Sequence, residues 1–282
     1  MLTDNASIEK LRWIMSELRD PETGCPWDIK QTFSSIVSHT IEEAYEVADA
    51  IEQEDYIELK KELGDLLFQV IFYSQLGEED KLFGFDDVVE AVCEKLIRRH
   101  PHVFSDATLT SDAEIKANWE NEKIKEREQK SQQQINLQAD QQPKSKPLSV
   151  LADIPKNLPA LSQAAKIQKR CSHIGFDWDN VDDVFAKIEE EVQEVKAELH
   201  CNPEALSEEL GDLLFAVVNL CRHAKQDPET ILRKANKKFT KRFQSVECKV
   251  NQSTKNFTDH KLIELEQYWQ EVKQEEKLKK KP

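Results

Sequence analysis

Two groups of acidic residues in this chain have the spacing of a carboxylate metal site. In the second half, Glu190, Glu191 and Glu194 form one group, and Glu209 and Asp212 form the other. At about 100° per residue, acids three apart share one face of a helix. Carboxylates gathered at one site cannot all stay ionised without a counter-charge, and the usual one is a divalent cation. The spacing therefore predicts a metal site between two helices.

The first half of the chain repeats these acids in the same register. The segment Glu-Leu-Gly-Asp-Leu-Leu-Phe occurs at 62–68 and again at 209–215. A lone acidic group is usually a solvated helix face, but a solvated face has no reason to keep this register twice. The predicted metal ligands are Glu191, Glu194, Glu209 and Asp212 in the second half and Glu43, Glu46, Glu62 and Asp65 in the first.

The ligand types favour magnesium, with manganese as a substitute. Sites made only of oxygen ligands suit magnesium, manganese or calcium better than zinc or copper. Helical di-iron proteins use Glu-x-x-His pairs, and none of the seven histidines has a glutamate three residues before it.

Basic side chains are needed because the usual phosphate-binding loops are missing. The sequence contains neither Gly-x-x-x-x-Gly-Lys-Ser/Thr nor Gly-x-Gly-x-x-Gly. The candidate phosphate contacts are Lys237, Lys238, Lys241 and Arg242, then Lys95, Arg98 and Arg99 in the first half, and a weaker set of Lys166, Lys169 and Arg170. Such runs also occur on plain exposed helices. Trp119 and Trp269 could stack on a base, although their spacing favours packing of a terminal helix onto the core.

The elements that position these residues are predicted to be helices in two tandem bundles. A chain of 282 residues with only six glycines favours an all-α fold of about two domains. The first half shows helical patterns near 7–18, 33–53, 56–76, 86–99 and 111–128, and the second near 161–170, 181–199, 203–225, 228–247 and 258–275. Pro101 ends the helix near 86–99, and Gly77 and Gly84 bracket the turn before it.

A polar, glutamine-rich segment at 129–147 is predicted to be a flexible linker between domains 1–128 and 148–282. Within the second domain, two helices are expected to pack through apolar stripes beside the acids. The stripes are Val184, Ile188, Val192, Val195 and Leu199 on one helix and Leu210, Leu213, Leu214 and Val217 on the other. Gly211, like Gly64, is expected to allow close helix–helix approach.

Charge and composition exclude several partners. A net charge of −15 argues against binding a nucleic-acid polymer or an anionic membrane. Six cysteines without zinc spacing indicate reduced thiols. Since no signal peptide and no apolar run of about 20 residues is present, we expect a cytoplasmic protein.

Taken together in order, these motifs resemble the bacterial two-copy MazG family of the all-α nucleoside triphosphate pyrophosphatases. The matching segments are Cys25-Pro-Trp-Asp28, the two acidic groups, the stretch at 95–104, Lys166–Cys171, Gly175-Phe-Asp-Trp178 and Trp269–Lys273. The resemblance covers nearly the whole chain apart from the linker.

The resemblance implies a magnesium-dependent homodimer that hydrolyses NTPs and dNTPs to nucleoside monophosphate and pyrophosphate. By position, Lys238, Arg242 and Trp269 would hold the nucleotide, with Lys241 and Lys169 nearby, and the second-half acids would bind the metal. Water would attack the α-phosphorus, and Glu190 could orient it. The family's activity is ascribed to the C-terminal copy, yet the first-half ligand set is also complete, so its silence is an open question.

Two alternatives remain at this point. The chain could be a non-enzymatic helical module that binds nucleotide or protein, with its acids only at the surface. It could also be a phosphohydrolase dedicated to one modified or alarmone nucleotide.

Overall fold

The computed structural model describes residues 7–106, 108–138, 149–152, 154–253 and 255–279. Within these ranges the chain forms helices and no strand, which confirms the all-α fold class. The chain divides into two compact units, Met1–Lys130 and Ser131–Pro282. No helix among the described residues is long and apolar enough to cross a membrane.

All ten predicted helices are present, and a one-turn helix joins them. The elements are α1 (Ile8–Leu18), α2 (Val37–Gln53), α3 (Tyr56–Glu79), α4 (Phe85–Arg99), α5 (Pro101–Phe104), α6 (Asp112–Gln138), α7 (Ala160–Ser172), α8 (Val181–Glu198), α9 (Pro203–His223), α10 (Pro228–Gln252) and α11 (Leu262–Lys279). As predicted, α4 ends just before Pro101.

Side-chain caps fix where three of the acid-bearing helices begin. Asp55 accepts hydrogen bonds from the first backbone N–H groups of α3. Asn180 caps α8 in the same way, and Asn202 caps α9, whose first residue is Pro203. These residues satisfy N–H groups that have no partner inside the helix, so the register of the acids along each helix is set by its first turn.

In the first unit, α2 packs along α3, and α1 and α4 also contact α3. The core of this unit is a cluster of large apolar side chains. Its buried members are Met15, Ile36, Ile71, Phe72 and Leu76, and Leu11, Phe33, Phe68, Tyr73 and Phe85 pack around them. The acids of α2 and α3 therefore lie on helices held together by a dense apolar core.

The second unit has the same arrangement, with α8 along α9 and α7 against α9. Val184 is fully buried on α8, and Ile188, Val192 and Val195 are partly buried, as the predicted stripe requires. Leu199, which directly follows the last residue of α8, is exposed, unlike the rest of the predicted stripe. A second cluster, Val246, Val250 and Val272, joins α10 to α11.

The first residues of the predicted linker are helical in the structure. Residues 129–138 continue α6, which ends at Gln138, whereas residues 139–147 lie outside the described part of the chain. Gln, Glu and Lys are good helix formers, so a polar run can extend a helix without burying apolar surface. The expectation of a helix end near residue 128 was wrong for this reason.

Three further expectations were wrong. Two concern the positions of glycines, and one concerns the burial of the apolar stripe on α9. A Cβ atom at Gly64 or Gly211 would meet nothing within 4 Å, so neither residue serves a close helix contact within the chain. Gly77 lies inside α3 rather than in a turn, and a Cβ there would fall 2.5 Å from the Phe83 carbonyl oxygen. Leu210, Leu214 and Val217 are exposed rather than packed in the core, and only Leu213 is half-buried.

Candidate metal centre

The packing of α8 along α9 brings three of the four predicted ligands of the second unit together. Glu191, Glu209 and Asp212 each offer a carboxylate oxygen, and these oxygens all lie within 4.8 Å of one another. Such an approach between three anionic groups is unfavourable without a cation. We name these three residues the second carboxylate centre.

Glu191 is the most deeply placed member of this centre. The residue is 4% exposed, and its Oε2 atom is buried without a hydrogen-bond partner in the described part of the structure. Its Oε1 atom accepts from Lys187 Nζ at 2.8 Å. A buried carboxylate oxygen without a partner is costly, so Glu191 Oε2 fits a role as a metal ligand.

Glu194 and Glu190 lie at the edge of this centre. Desolvation, and then the charges of Glu191 and Glu209, raise the pKa of Glu194 above its usual value, so this carboxylate belongs to the same electrostatic cluster. Glu190 is exposed and accepts a hydrogen bond from Lys187 at 2.9 Å. Hydrogen bonds to Glu191 and then to Glu190 raise the pKa of Lys187.

The first unit contains a matching set, which we name the first carboxylate centre. Glu43, Glu62 and Asp65 offer oxygens within the same 4.8 Å limit. Burial, and then Asp65 and Glu46, raise the pKa of Glu43. Burial and Glu46 likewise raise the pKa of Glu62. The four predicted first-half ligands are therefore near one another, although Glu46 is not among the three closest.

Both centres fit a divalent cation of the oxygen-preferring kind. Their donors are carboxylates alone, which suits magnesium or manganese. Neither centre includes a histidine or cysteine among its grouped donors, so the chemistry of the donor set does not favour zinc.

The basic residues predicted to hold phosphate lie on other helices. Lys238 and Lys241 are exposed on α10. Arg242 donates from Nε to Glu276 of α11 at 2.9 Å, and its guanidinium lies 5.9 Å from the centre of the Trp269 ring. Lys169 is exposed on α7.

Trp269 packs against the core as its spacing favoured. It contacts the Val246, Val250 and Val272 cluster, and its ring centre lies 5.1 Å from that of Phe239. Part of the Trp269 side chain stays accessible. Its role toward substrate stays a prediction.

In the first unit, two of the basic candidates are already paired. Arg99 donates to both carboxylate oxygens of Glu126 on α6, at 3.1 and 2.6 Å, and Arg98 contacts the same carboxylate. The hydrogen bonds from Arg99 lower the pKa of Glu126 to about 2. Trp119 lies edge-on to the His100 ring at 5.4 Å, as a packing residue would.

Sequence reasoning missed a cavity of about 420 Å³ that borders the second carboxylate centre. Lys187, Glu191 and Asp212 line it, together with Gln168, Asn219 and Arg222. Lys187 had a local signal, because it precedes Glu190 and Glu191 by one helical turn. Gln168, Asn219 and Arg222 had none, since α7 and α9 come together only through tertiary packing.

An all-α fold that carries one carboxylate centre in each half defines a class, namely proteins with two tandem copies of a helical metal-site domain. The family model described as the MazG nucleotide pyrophosphohydrolase domain matches residues 31–104 and 180–247. The chain belongs to this family, which confirms the resemblance seen in the motifs.

Curated relatives cover nearly the whole chain. A nucleoside triphosphate pyrophosphohydrolase of Escherichia coli (strain K12) is 47% identical over 272 residues, which are 95% of this chain and 98% of the relative. A nucleoside triphosphate pyrophosphohydrolase/pyrophosphatase of Thermotoga maritima is 40% identical over 266 residues, 94% of this chain and 95% of the relative. The uncharacterized protein YabN of Bacillus subtilis (strain 168) is 40% identical over 268 residues, which are 51% of its own length.

Proposed function

We propose that this chain hydrolyses nucleoside triphosphates, with ribose or deoxyribose, to nucleoside monophosphate and pyrophosphate. Family membership and the printed names of its relatives support this activity. The structural observation that carries it is the convergence of the Glu191, Glu209 and Asp212 carboxylates, together with the buried and unpartnered Oε2 atom of Glu191. That geometry suits a centre that works on anionic phosphates through a cation.

The proposed cofactor is Mg²⁺, which Mn²⁺ would replace. Glu191, Glu209 and Asp212 would hold it, with Glu194 completing the set. When bound, the ion neutralises phosphate oxygens and lowers the pKa of a bound water. The first carboxylate centre, with Glu43, Glu46, Glu62 and Asp65, would bind the same ion.

The remaining residues would orient water and phosphate. Glu190 is exposed beside the second centre and accepts a hydrogen bond from Lys187, and in this proposal it would orient the attacking water. Arg242 is held by Glu276 and Trp269, and would meet the outer phosphates together with Lys238, Lys241 and Lys169. Held in this way, the Arg242 guanidinium loses less conformational freedom when phosphate binds.

We further propose that the chain works as a homodimer in the cytoplasm. Support for the dimer comes from exposed apolar side chains that recur in both units. On α3 these are Leu63, Leu67 and Val70, and on α9 they are Leu210, Leu214 and Val217. Repeated apolar surface of this kind is typical of protein interfaces. The cytoplasmic location is supported by the six cysteines, whose spacing indicates reduced thiols.

The test is to incubate the chain with each NTP and dNTP plus Mg²⁺, and to separate pyrophosphate from orthophosphate among the products. We expect pyrophosphate and monophosphate in equal amounts from several bases. A non-enzymatic binding module would release neither product. Turnover of a single modified or alarmone nucleotide alone would favour the dedicated phosphohydrolase.

A further inference from the structure

We propose that Glu276 is a positioning residue for the hydrolysis of nucleoside triphosphates, and that it acts through Arg242. Glu276 holds one edge of the Arg242 guanidinium, so that the opposite edge is presented to the phosphates of the substrate. This inference rests on the proposed function and on the phosphate contact proposed there for Arg242. It adds a residue of α11 that determines how this arginine is oriented.

The Arg242 guanidinium is held along one of its edges. Its Nε and Nη2 atoms lie 2.9 and 2.8 Å from the Oε2 atom of Glu276. Because the guanidinium is a rigid plane with donors in fixed directions, these two contacts restrict its rotation. Nη1 makes no hydrogen bond to any residue that the structure describes. Its two N–H groups are therefore available for phosphate oxygens.

A tryptophan of the same helix supports the guanidinium from its face. The Cζ atom of Arg242 lies 5.9 Å from the centre of the Trp269 ring, within the range of a cation–π contact. Trp269 and Glu276 are seven residues apart, which is about two helical turns, so both lie on one side of α11. A group that is oriented before the ligand arrives loses less freedom on binding.

The first unit contains the same device. Trp119 and Glu126 are also seven residues apart, on α6, and Glu126 accepts two hydrogen bonds from Arg99. An ion pair near the surface that occurs once in a chain is often incidental. A pair that recurs with the same spacing in both units indicates a common role in orienting an arginine.

The units differ in how many basic residues their last helix holds. In the first unit, Arg98 contacts a further acid of α6, Glu122, whose Oε2 lies 3.5 Å from Arg98 Nε. The register of the tryptophans places Val272 at the matching position of α11, where it is buried in the core. Lys241, which matches Arg98, is exposed on α10. The second unit therefore orients one basic residue and keeps its neighbour at the surface, which suits a long anionic substrate.

The charge of Glu276 acts against its effect on orientation. A carboxylate beside the guanidinium reduces the positive charge that a phosphate meets. The two side chains are 21% and 31% exposed, so water screens this opposing charge, whereas it does not restore a lost orientation. Removal of Glu276 should therefore weaken the binding of the phosphates.

One experiment removes the carboxylate from the full chain. Glu276→Ala should raise KM for ATP about fivefold and leave kcat within about twofold, because Arg242 is present but no longer oriented. Glu276→Gln keeps an acceptor oxygen and should raise KM only about twofold. The double variant with Arg242→Ala should have the KM of Arg242→Ala alone, since Glu276 then has no arginine to orient. Steady-state release of pyrophosphate measures each KM.

Lys249→Ala is the matched control. Lys249 lies on α10 two turns after Arg242, and it contacts Glu271 and Glu275 of α11 at 3.0 and 2.9 Å. Its loss loosens the contact between α10 and α11 without touching Arg242, so it should lower Tm and leave KM unchanged. An equal rise in KM would show that Glu276 serves only to attach α11, and would overturn the inference.

Two further outcomes would also overturn it. One is a KM at or below the wild-type value in Glu276→Ala, which would mean that the charge of Glu276 outweighs its effect on orientation. The other is a double variant in which the two effects multiply, because Glu276 would then act independently of Arg242. A wild-type chain that releases no pyrophosphate from ATP would instead overturn the proposed function, and this inference with it.

Discussion

The two units carry the same acids, and almost everything around those acids differs. Lys187 contacts the second centre, whereas the matching position in the first unit is His39, whose Nδ1 lies 3.7 Å from Glu42. Asn219 borders a cavity, whereas Phe72 belongs to the core. A ligand geometry that occurs twice in one chain therefore does not imply equal activity, because a substrate needs room as well as a cation.

The arginines after the acids are, by contrast, alike in the two units. Arg99 pairs with Glu126 on α6, and Arg242 pairs with Glu276 on α11. Pro101 does shorten the supporting helix of the first unit, since α4 ends at Arg99 and α10 continues to Gln252. Yet the guanidinium groups find equivalent partners. The cavity beside the second carboxylate centre is therefore a larger difference between the two copies than the ends of these helices.

Substitution of a predicted metal ligand of the second centre should cause the largest loss of kcat. Asp212→Asn removes one charged donor at nearly constant volume, and we expect a loss of at least about a hundredfold in kcat with the helical fold intact. The matched variant Asp65→Asn in the first unit should change kcat by less than about twofold. Pyrophosphate release by the full chain measures both, and equal losses would show that both copies turn over substrate.

A smaller effect is expected for the phosphate-binding arginine. Arg242→Ala should raise KM for ATP about tenfold by removing a charged hydrogen-bond donor. Arg99→Ala should leave KM unchanged and lower only the melting temperature of the first unit. Steady-state kinetics with thermal unfolding on the same samples separates the two outcomes, and an equal rise in KM would place substrate in both copies.

Magnesium should stabilise both units. Burial and neighbouring carboxylates raise the pKa of Glu43, Glu62 and Glu194. Without a cation, the folded chain is therefore destabilised as pH rises past about 4.5, where these groups ionise in the unfolded chain. Mg²⁺ should raise Tm at neutral pH by mass action. Asp65→Asn and Asp212→Asn should each remove part of that shift, and identical Tm values in EDTA and Mg²⁺ would contradict the cation sites.

The smallest effect concerns Glu126, whose pKa of about 2 lies below its unfolded value of 4.5. A lowered carboxylate pKa stabilises the fold above pH 4.5, and this contribution is lost as pH falls toward 2. Glu126→Gln should therefore lower the free energy of unfolding by about 1 kcal/mol near neutrality, and by progressively less in acid. Urea unfolding between about pH 6 and about pH 3 measures the difference. A constant difference across this range would show that the Arg99 pair does not titrate.

The helices and both carboxylate centres could be predicted from sequence because their signals are local. Acids three or four residues apart, apolar periodicity and caps such as Asn180 act within one or two turns. The cavity could not be predicted, because Gln168 and Asn219 lie 51 residues apart and meet only through the packing of α7 on α9. The exposure of Leu214 also escaped prediction, since an apolar stripe looks the same whether it faces a core or an interface.

Substitutions at Gly64 and Gly211 can report whether a second copy of the chain packs closely against these helices. A glycine inside a helix is about 1 kcal/mol less favourable than alanine, and at these two positions the single chain leaves open space for the extra methyl group. Alanine should therefore stabilise an isolated chain. If a second copy covers α9, the same methyl group at position 211 stands between two backbones and weakens association. Opposite signs for folding and dimerisation in Gly211→Ala would thus report how closely two copies approach, without a structure of the pair.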